Sequence, residues 1–394
     1  MGKTVRATAK PELIRWVRED AGLSLEDAAK KTGTTVERVR AWEAGDLAPT
    51  IRQLRLLGKA ARRPLAVFFL SEPPERFQAM HDFRRIPGDP LREGSRELRL
   101  EIRVALARRE IAVDLAGGLG EPLAEFPVTF DLDENPIHAA FRLRDVLGLG
   151  LEVQRTWRSP YEALNGWKKS VEALGILVFQ ASGVDVSEMR GFSIAEFPYP
   201  AVVVNVQDSP RARVFSLIHE LCHIGLRRGG VCDLTDQGQR PPEDDRVETF
   251  CNAVAAEVLV PINALVLSSV VQEHGPDPEW TMRELQALST EYSVSREVIL
   301  RRLLAAGRTT REFYQEKREE FLKEHQALRR RQTGFVTPDV QAVSGAGATF
   351  VRLVLDSYYQ ERITSRDVSE YLGVRLKHLA TIEEKVMGGR ILFA

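Results

Sequence analysis

Apolar positions fall at helical spacing along most of this chain. Between residues 175 and 206 they form short continuous or alternating runs instead. Leu13, Ile14 and Val17 mark the inner face of a first helix over residues 11–20, and Ala21-Gly22 ends it. Ser24 is a good N-cap for a helix over 25–31, with Asp27 three residues on. Gly33 breaks the chain, and Thr34 or Thr35 caps a third helix through Ala44. Gly45 closes it, and Pro49-Thr50 opens a fourth over 51–61. The apolar run 65–70 reads as core packing, and 71–75 as a stiff linker. Helical patterns follow over 96–115, 133–147 and 159–174, then strand patterns over 175–180, 191–194 and 201–206. Two apolar helices come next. One surrounds residues 215–224, and the other begins at Glu248 and ends at Pro261. Between them, 227–245 lacks periodicity and is rich in Gly, Pro and charge, the pattern of a long surface loop that could gate a nearby site. Residues 262–309 look helical, with Leu300, Leu303 and Leu304 in one patch. Residues 311–331 are dense in charge, and the Gly/Ala/Thr-rich 334–349 read as a loop. Residues 367–374 loosely echo a helix-turn, without a basic recognition helix after it. The fold class is mainly α with a small β-sheet (α+β). The expected segments are 1–70, a helical linker region 71–150, a domain over 151–275 and a mostly helical C-terminal region 276–394.

Composition narrows the class. The 394 residues are 43% hydrophobic and 28% charged, a soluble globular balance with room for two or three domains. No run of 18 apolar residues and no signal peptide is found, so a cytoplasmic protein without a membrane span is expected. Three cysteines form no extracellular disulfide framework. The net charge is −1, yet residues 1–63 hold 14 Lys or Arg against 8 Asp or Glu, a net of +6. A basic first domain on an acidic body points to nucleic acid at the N-terminus.

The chemistry concentrates in His219-Glu220-Leu221-Cys222-His223. Residues four apart share a helix face, so His219 and His223 can aim at one point, as a Zn2+ ion requires. Glu220 lies about 100° around the helix and reaches a water beside the metal rather than the metal, the place of a general base. On the second helix Glu248 can be the third ligand, leaving a position open as in catalytic zinc. Asn252, four residues on, can hold a ligating ring by its second N–H. Glu257 competes as third ligand but falls on the opposite face. Cys222 and Cys251 sit three residues after His219 and Glu248, and Cys232 lies in the intervening loop. They read either as reactive thiols near the metal or as small core residues.

Two resemblances follow from these residues. The string Leu25-Glu-Asp-Ala28-Ala29-Lys-Lys-Thr-Gly33-Thr-Thr-Val36-Glu-Arg-Val39-Arg-Ala-Trp42-Glu43-Ala-Gly45 resembles the phage-repressor-like (XRE-type) helix-turn-helix. The resemblance puts Ala29 where the helices cross, Gly33 in the turn, and Val39 and Trp42 inward. It implies that Thr35, Val36, Glu37, Arg40 and Ala41 face base edges of double-stranded DNA, with Arg38, Arg52 and Arg55 on phosphates. Val36, Glu37 and Ala41 are weak base readers, and a helical domain that binds protein or dimerises is the alternative. Asn205, Phe215, His219-Glu220-x-x-His223, Glu248-x-x-Cys251-Asn252 and Val260-Pro261 resemble the ImmA/IrrE family of metallopeptidases. That family implies a zinc endopeptidase with a zincin-like helix pair, whose members cut a repressor or regulator in a stress or mobile-element response. It predicts Zn2+ as cofactor, DNA and a repressor as partners, and a homodimer. A second oxyanion stabiliser is expected, with His274, Tyr199 and Tyr292 as candidates, and strand 201–206 could pair with an extended substrate. The rival reading is a DNA-binding regulator whose zinc domain only senses, a role that would not need Glu220.

Overall fold

The computed structural model describes residues 9–61, 63, 65–72, 81–82, 95–120, 126–232, 241–329 and 337–387. The chain divides into two compact units, one of residues 1–79 with 93–104 and one of 80–92 with 105–394. The fold is α+β, mostly helical.

The first unit is a helical bundle, and its sequence signals act as expected. Helices Pro11–Asp20, Leu25–Thr32, Val36–Ala44 and Ile51–Ala61 are followed by a short 3-10 turn, Leu65–Phe69. Ser24 Oγ accepts from the Asp27 amide at 3.0 Å, and Asp27 Oδ2 accepts from the Ser24 amide at 3.3 Å. This reciprocal box satisfies two backbone donors that the first turn leaves open. Gly33 ends that helix in the left-handed region at φ 66°, where a side chain would be strained. Ile14, Val17, Ala28, Val39, Trp42, Leu54, Leu57 and Phe68 form the core. Glu43, nearly buried, is held by Arg18 at 2.5 Å. Asp20 takes Arg63 at 3.0 Å and also Arg103, so residues 95–104 add to the bundle.

The second unit is built on a five-stranded sheet. Its strands are β1 (His81–Asp82), β2 (Leu177–Ala181), β3 (Gly191–Ile194), β4 (Ala201–Asn205) and β5 (Gly230–Cys232), in the order β1-β5-β3-β4-β2. β2 runs parallel to β4, and β3 antiparallel to both β4 and β5. Strand alternation divides the faces. Val178, Val202 and Val204 join one core with Leu217, Ile218 and Leu221 of helix Pro210–Gly225. On the other face Phe179 meets Phe350 edge-on, with ring centroids 6.1 Å apart.

Several expectations change here. β4 is paired on both sides, so it offers no free edge to a substrate. The helix carrying Glu248 runs Pro242–Leu259, starting before Glu248, because Pro242 suits a first turn and three acids follow it. The described residues of 71–150 include the expected helices, Arg96–Leu119 and Pro136–Leu147, but part of this region belongs to the main core. Phe126, Val128 and Phe130 alternate inward along an extended segment, and helix Pro136–Leu147 inserts Ala139, Ala140, Leu143 and Leu147 into the main core. The segment 334–349 is not a loop where described, since helices Pro338–Ala346 and Ala348–Tyr359 occupy it. Residues 276–321 share the core of the motif helix, so no boundary separates them from it at 275. Residues 73–75 of the expected linker, 233–240 of the expected loop and 334–336 lie outside the described residues.

Candidate metal centre and nucleic-acid surface

Helix Pro210–Gly225 begins with Ser209, whose hydroxyl accepts from the Ala212 amide at 3.3 Å, and Pro210 fixes the first turn. From Ser216 to Gly225 every residue is buried. Helix Pro242–Leu259 packs beside it and brings Glu248 to the same level. Two devices fix the end of this second helix. Gln154, fully buried, donates to the carbonyls of Leu259 at 2.9 Å and Tyr292 at 2.7 Å. Glu257 pairs with buried Arg302, whose Nε also donates to the Val260 carbonyl at 2.9 Å.

The three donors converge. His219 Nε2 and His223 Nε2 lie 3.1 Å apart. Glu248 Oε2 is 3.5 Å from the first and Oε1 is 3.2 Å from the second. All three side chains are at most 1% exposed. Donors about 2.0–2.1 Å from a tetrahedral ion stand roughly 3.3 Å from one another, so these edges match a single small cation. Two ring nitrogens and a carboxylate crowded this closely in a dry site repel or waste their lone pairs without positive charge between them. Burial pushes the Glu248 carboxyl up, but the rings of His219 and His223 outweigh it and hold it well below the ordinary carboxylate range. The buried His-His-Glu group can therefore hold a metal ion.

Glu220, 1% exposed, lies against Gly191 of β3. A Cβ at Gly191 would stand 3.0 Å from Glu220 Oε1 and 3.1 Å from its Cγ, so a side chain here would have to displace Glu220 or the strand by a few tenths of an ångström. Sequence reasoning missed Gly191; its place inside a strand pattern was the available signal. Asn205 is buried and ties down the preceding loop by donating to the Val184 and Met189 carbonyls at 2.9 and 2.8 Å. Phe215 stacks on His219 with centroids 6.4 Å apart.

Other expected residues are placed elsewhere. Asn252 does not steady the His219 ring, because His219 Nδ1 has no hydrogen-bond partner among the described residues. Glu257 is engaged by Arg302 and is not a third ligand. His274 bonds Glu284 and the Asp277 carbonyl, each at 2.8 Å, and stacks on Trp280. Tyr292 accepts from Arg155 at 3.1 Å. Cys222 and Cys251 are core residues, and burial pushes both thiols up, away from the thiolate. Their full burial favours the reading as small core residues over that as reactive thiols; the Cys232 side chain is outside the described residues.

In the first unit, Thr35 caps helix Val36–Ala44. Thr35, Glu37, Arg38 and Arg40 are exposed, while Val36 and Ala41 are half-buried and Val36 packs on the bundle. Arg52 and Arg55 share a groove with Lys30 and Lys31, two cations the sequence reading left out. This basic lining beside the turn suits a phosphate backbone.

Among the described residues no helix is long and apolar enough to cross a membrane. No curated protein matches the chain. In comparison with family models, residues 14–68 match the helix-turn-helix model, and residues 171–304 match the model of the IrrE N-terminal-like domain. The chain thus resembles, in this order, a helix-turn-helix DNA-binding domain and an IrrE N-terminal-like peptidase domain that carries the His-His-Glu group.

Proposed function

We propose that the protein is a zinc-dependent endopeptidase and DNA-binding regulator, and that its substrate is a transcriptional repressor or regulator removed in a stress or mobile-element response. The convergence of His219, His223 and Glu248 within zinc-ligand spacing, next to Glu220, carries the reading. When bound, zinc would polarise the scissile carbonyl and acidify water beside it. His219, His223 and Glu248 hold it there. Glu220, pressed against Gly191, accepts a proton from water at its carboxylate and passes it to the departing amine nitrogen. Buried walls from β3, β4 and the two helices exclude bulk water, which strengthens each of these interactions. Thr35, Val36, Glu37, Arg38, Arg40 and Ala41 face duplex DNA, with the basic groove on phosphates.

The test is zinc stoichiometry. Wild type is expected to hold one zinc per chain, Glu248→Ala to lose it, and Glu257→Gln to keep it while melting at lower temperature. Zinc loss in Glu257→Gln with retention in Glu248→Ala overturns the ligand assignment.

A further inference from the structure

The His-His-Glu centre is closed. His219, His223, Glu248 and Glu220 are each at most 1% exposed. A peptide bond reaches them only if part of the surrounding wall moves, and the sheet shows which part. Glu220 lies against Gly191, so β3 is the strand that meets the proton acceptor. An extended peptide that pairs with a sheet gains main-chain hydrogen bonds and a fixed register. To bring a carbonyl beside Glu220 in this way, it has to pair with β3. Both edges of β3 are taken, by β4 on one side and β5 on the other.

The two neighbours are held very differently. β4 is paired over four residues with β3 and over five with β2, and all five of its residues are buried. β5 has three residues. Beyond it, among the described residues, the sheet ends in the two-residue β1, which runs parallel to it and pairs His81 with Gly230 and Asp82 with Val231. Yet β5 covers the stretch of β3 that matters. Cys232 pairs with Gly191, Val231 with Phe192 and Gly230 with Ser193. Paired strands lie about 4.8 Å apart, so the β5 backbone runs one strand's width from the glycine that touches Glu220. A substrate backbone paired with β3 takes the same line.

The approach to β5 is nearly bare. Helix Pro210–Gly225 ends, and residues 226–229 bring the chain back to the sheet. Gly229 rests on the β3 backbone. A Cβ there would stand 2.7 Å from the Ser193 carbonyl oxygen and 2.8 Å from the Ala195 nitrogen. This is backbone against backbone, a contact that another extended chain can reproduce whatever its side chains.

We propose that the edge of β3 held by β5 is the binding edge for an extended peptide substrate, and that β5 is an internal competitor that must leave it before cleavage. The inference rests on the peptidase reading. It adds the form of the substrate, an extended or unfolded segment rather than a helix, and a reason for the closed site. Such a competitor weakens apparent substrate affinity by the fraction of time the edge is open, and it leaves the chemical step alone.

The experiment uses the full-length, zinc-loaded chain and a library of quenched fluorescent peptides. Gly229→Ala pushes the approach to β5 off β3 without altering the metal ligands or Glu220. It is expected to lower KM roughly tenfold with kcat little changed. If β5 merely holds the site together, kcat falls instead. Amide hydrogen exchange gives a reading that does not depend on turnover. With the best-cleaved peptide bound to zinc-loaded Glu220→Gln, amides of residues 230–232 are expected to lose protection while those of 201–205 keep it. Cleavage by wild type with KM unchanged or raised in Gly229→Ala overturns the proposal, as does bound peptide with 230–232 still protected. If Gly229→Ala fails to fold, the exchange result decides alone. Cleavage of no peptide by either protein removes the peptidase reading, and this proposal with it.

Discussion

Glu220 owes its place to a residue with no side chain. Gly191 brings β3 within contact of the Glu220 carboxylate, and an added methyl must push one of them away. A shift of a few tenths of an ångström leaves the three ligand atoms untouched but misaligns the proton acceptor. Gly191→Ala is therefore expected to retain zinc and lose proteolysis, by up to roughly 10²-fold, with kcat carrying the loss. Steady-state kinetics beside metal analysis on the same sample checks this; unchanged kcat would remove Gly191 from the account. The ligand residues themselves were legible because two four-residue spacings on two apolar helices leave few geometries. The role read for Asn252 does not extend to His219, whose Nδ1 has no hydrogen-bond partner among the described residues, because spacing on one helix says nothing about how a ring on another is turned. Glu257 was separable from Glu248 by helical phase alone, and its Arg302 partner supplies the reason it is buried.

Elements were legible where the chain carries its own punctuation. Ser24, Gly33 and Pro261 mark ends that the structure honours. β1 and β5 were not seen, since strands of two and three residues have no period to detect. The order of strands is also invisible in any one of them, so β4 could not be known as interior. The Gly/Ala/Thr-rich stretch 334–349 reads as a loop by composition, but the small residues of its described part serve close packing. A Cβ on Gly347 would stand 2.5 Å from the Val178 carbonyl of β2. At this scale one pH effect is expected. Desolvation lowers the His274 pKa, and its bonds to Glu284 and the Asp277 carbonyl outweigh that, leaving it raised. The stabilisation it gives to helices Ser269–His274 and Met282–Glu291 is then fully present below the ordinary histidine value of about 6.5 and is lost as pH rises through the folded value. Thermal melts across neutral pH should show this decline in wild type and a flatter profile in His274→Gln. Parallel profiles would mean His274 contributes only packing.

Across the whole molecule, two chemistries occupy separate compact units, a basic helix-turn-helix and an α+β peptidase-like body. The charge asymmetry announced this division: residues 1–63 carry a net +6 in a chain of net −1. Duplex binding should accordingly weaken steeply with salt, and Arg40→Ala, exposed on helix Val36–Ala44, should weaken or relax recognition by about 1–3 kcal/mol where it meets a base. Salt-independent binding, or none at low salt with any fragment, would contradict a DNA role. The central claim is that Glu220 acts on water beside a metal held by His219, His223 and Glu248. It is tested most directly by comparing zinc-loaded wild type with Glu220→Gln at equal zinc content, using terminal labelling and mass spectrometry of a lysate from the source cells. Glutamine keeps the shape of the side chain and cannot accept the proton, and a general base contributes roughly 10²–10⁴-fold. New protein N-termini that appear with wild type and are absent with Glu220→Gln and with chelated wild type are the predicted result. The same new termini at undiminished yield with Glu220→Gln would contradict the account.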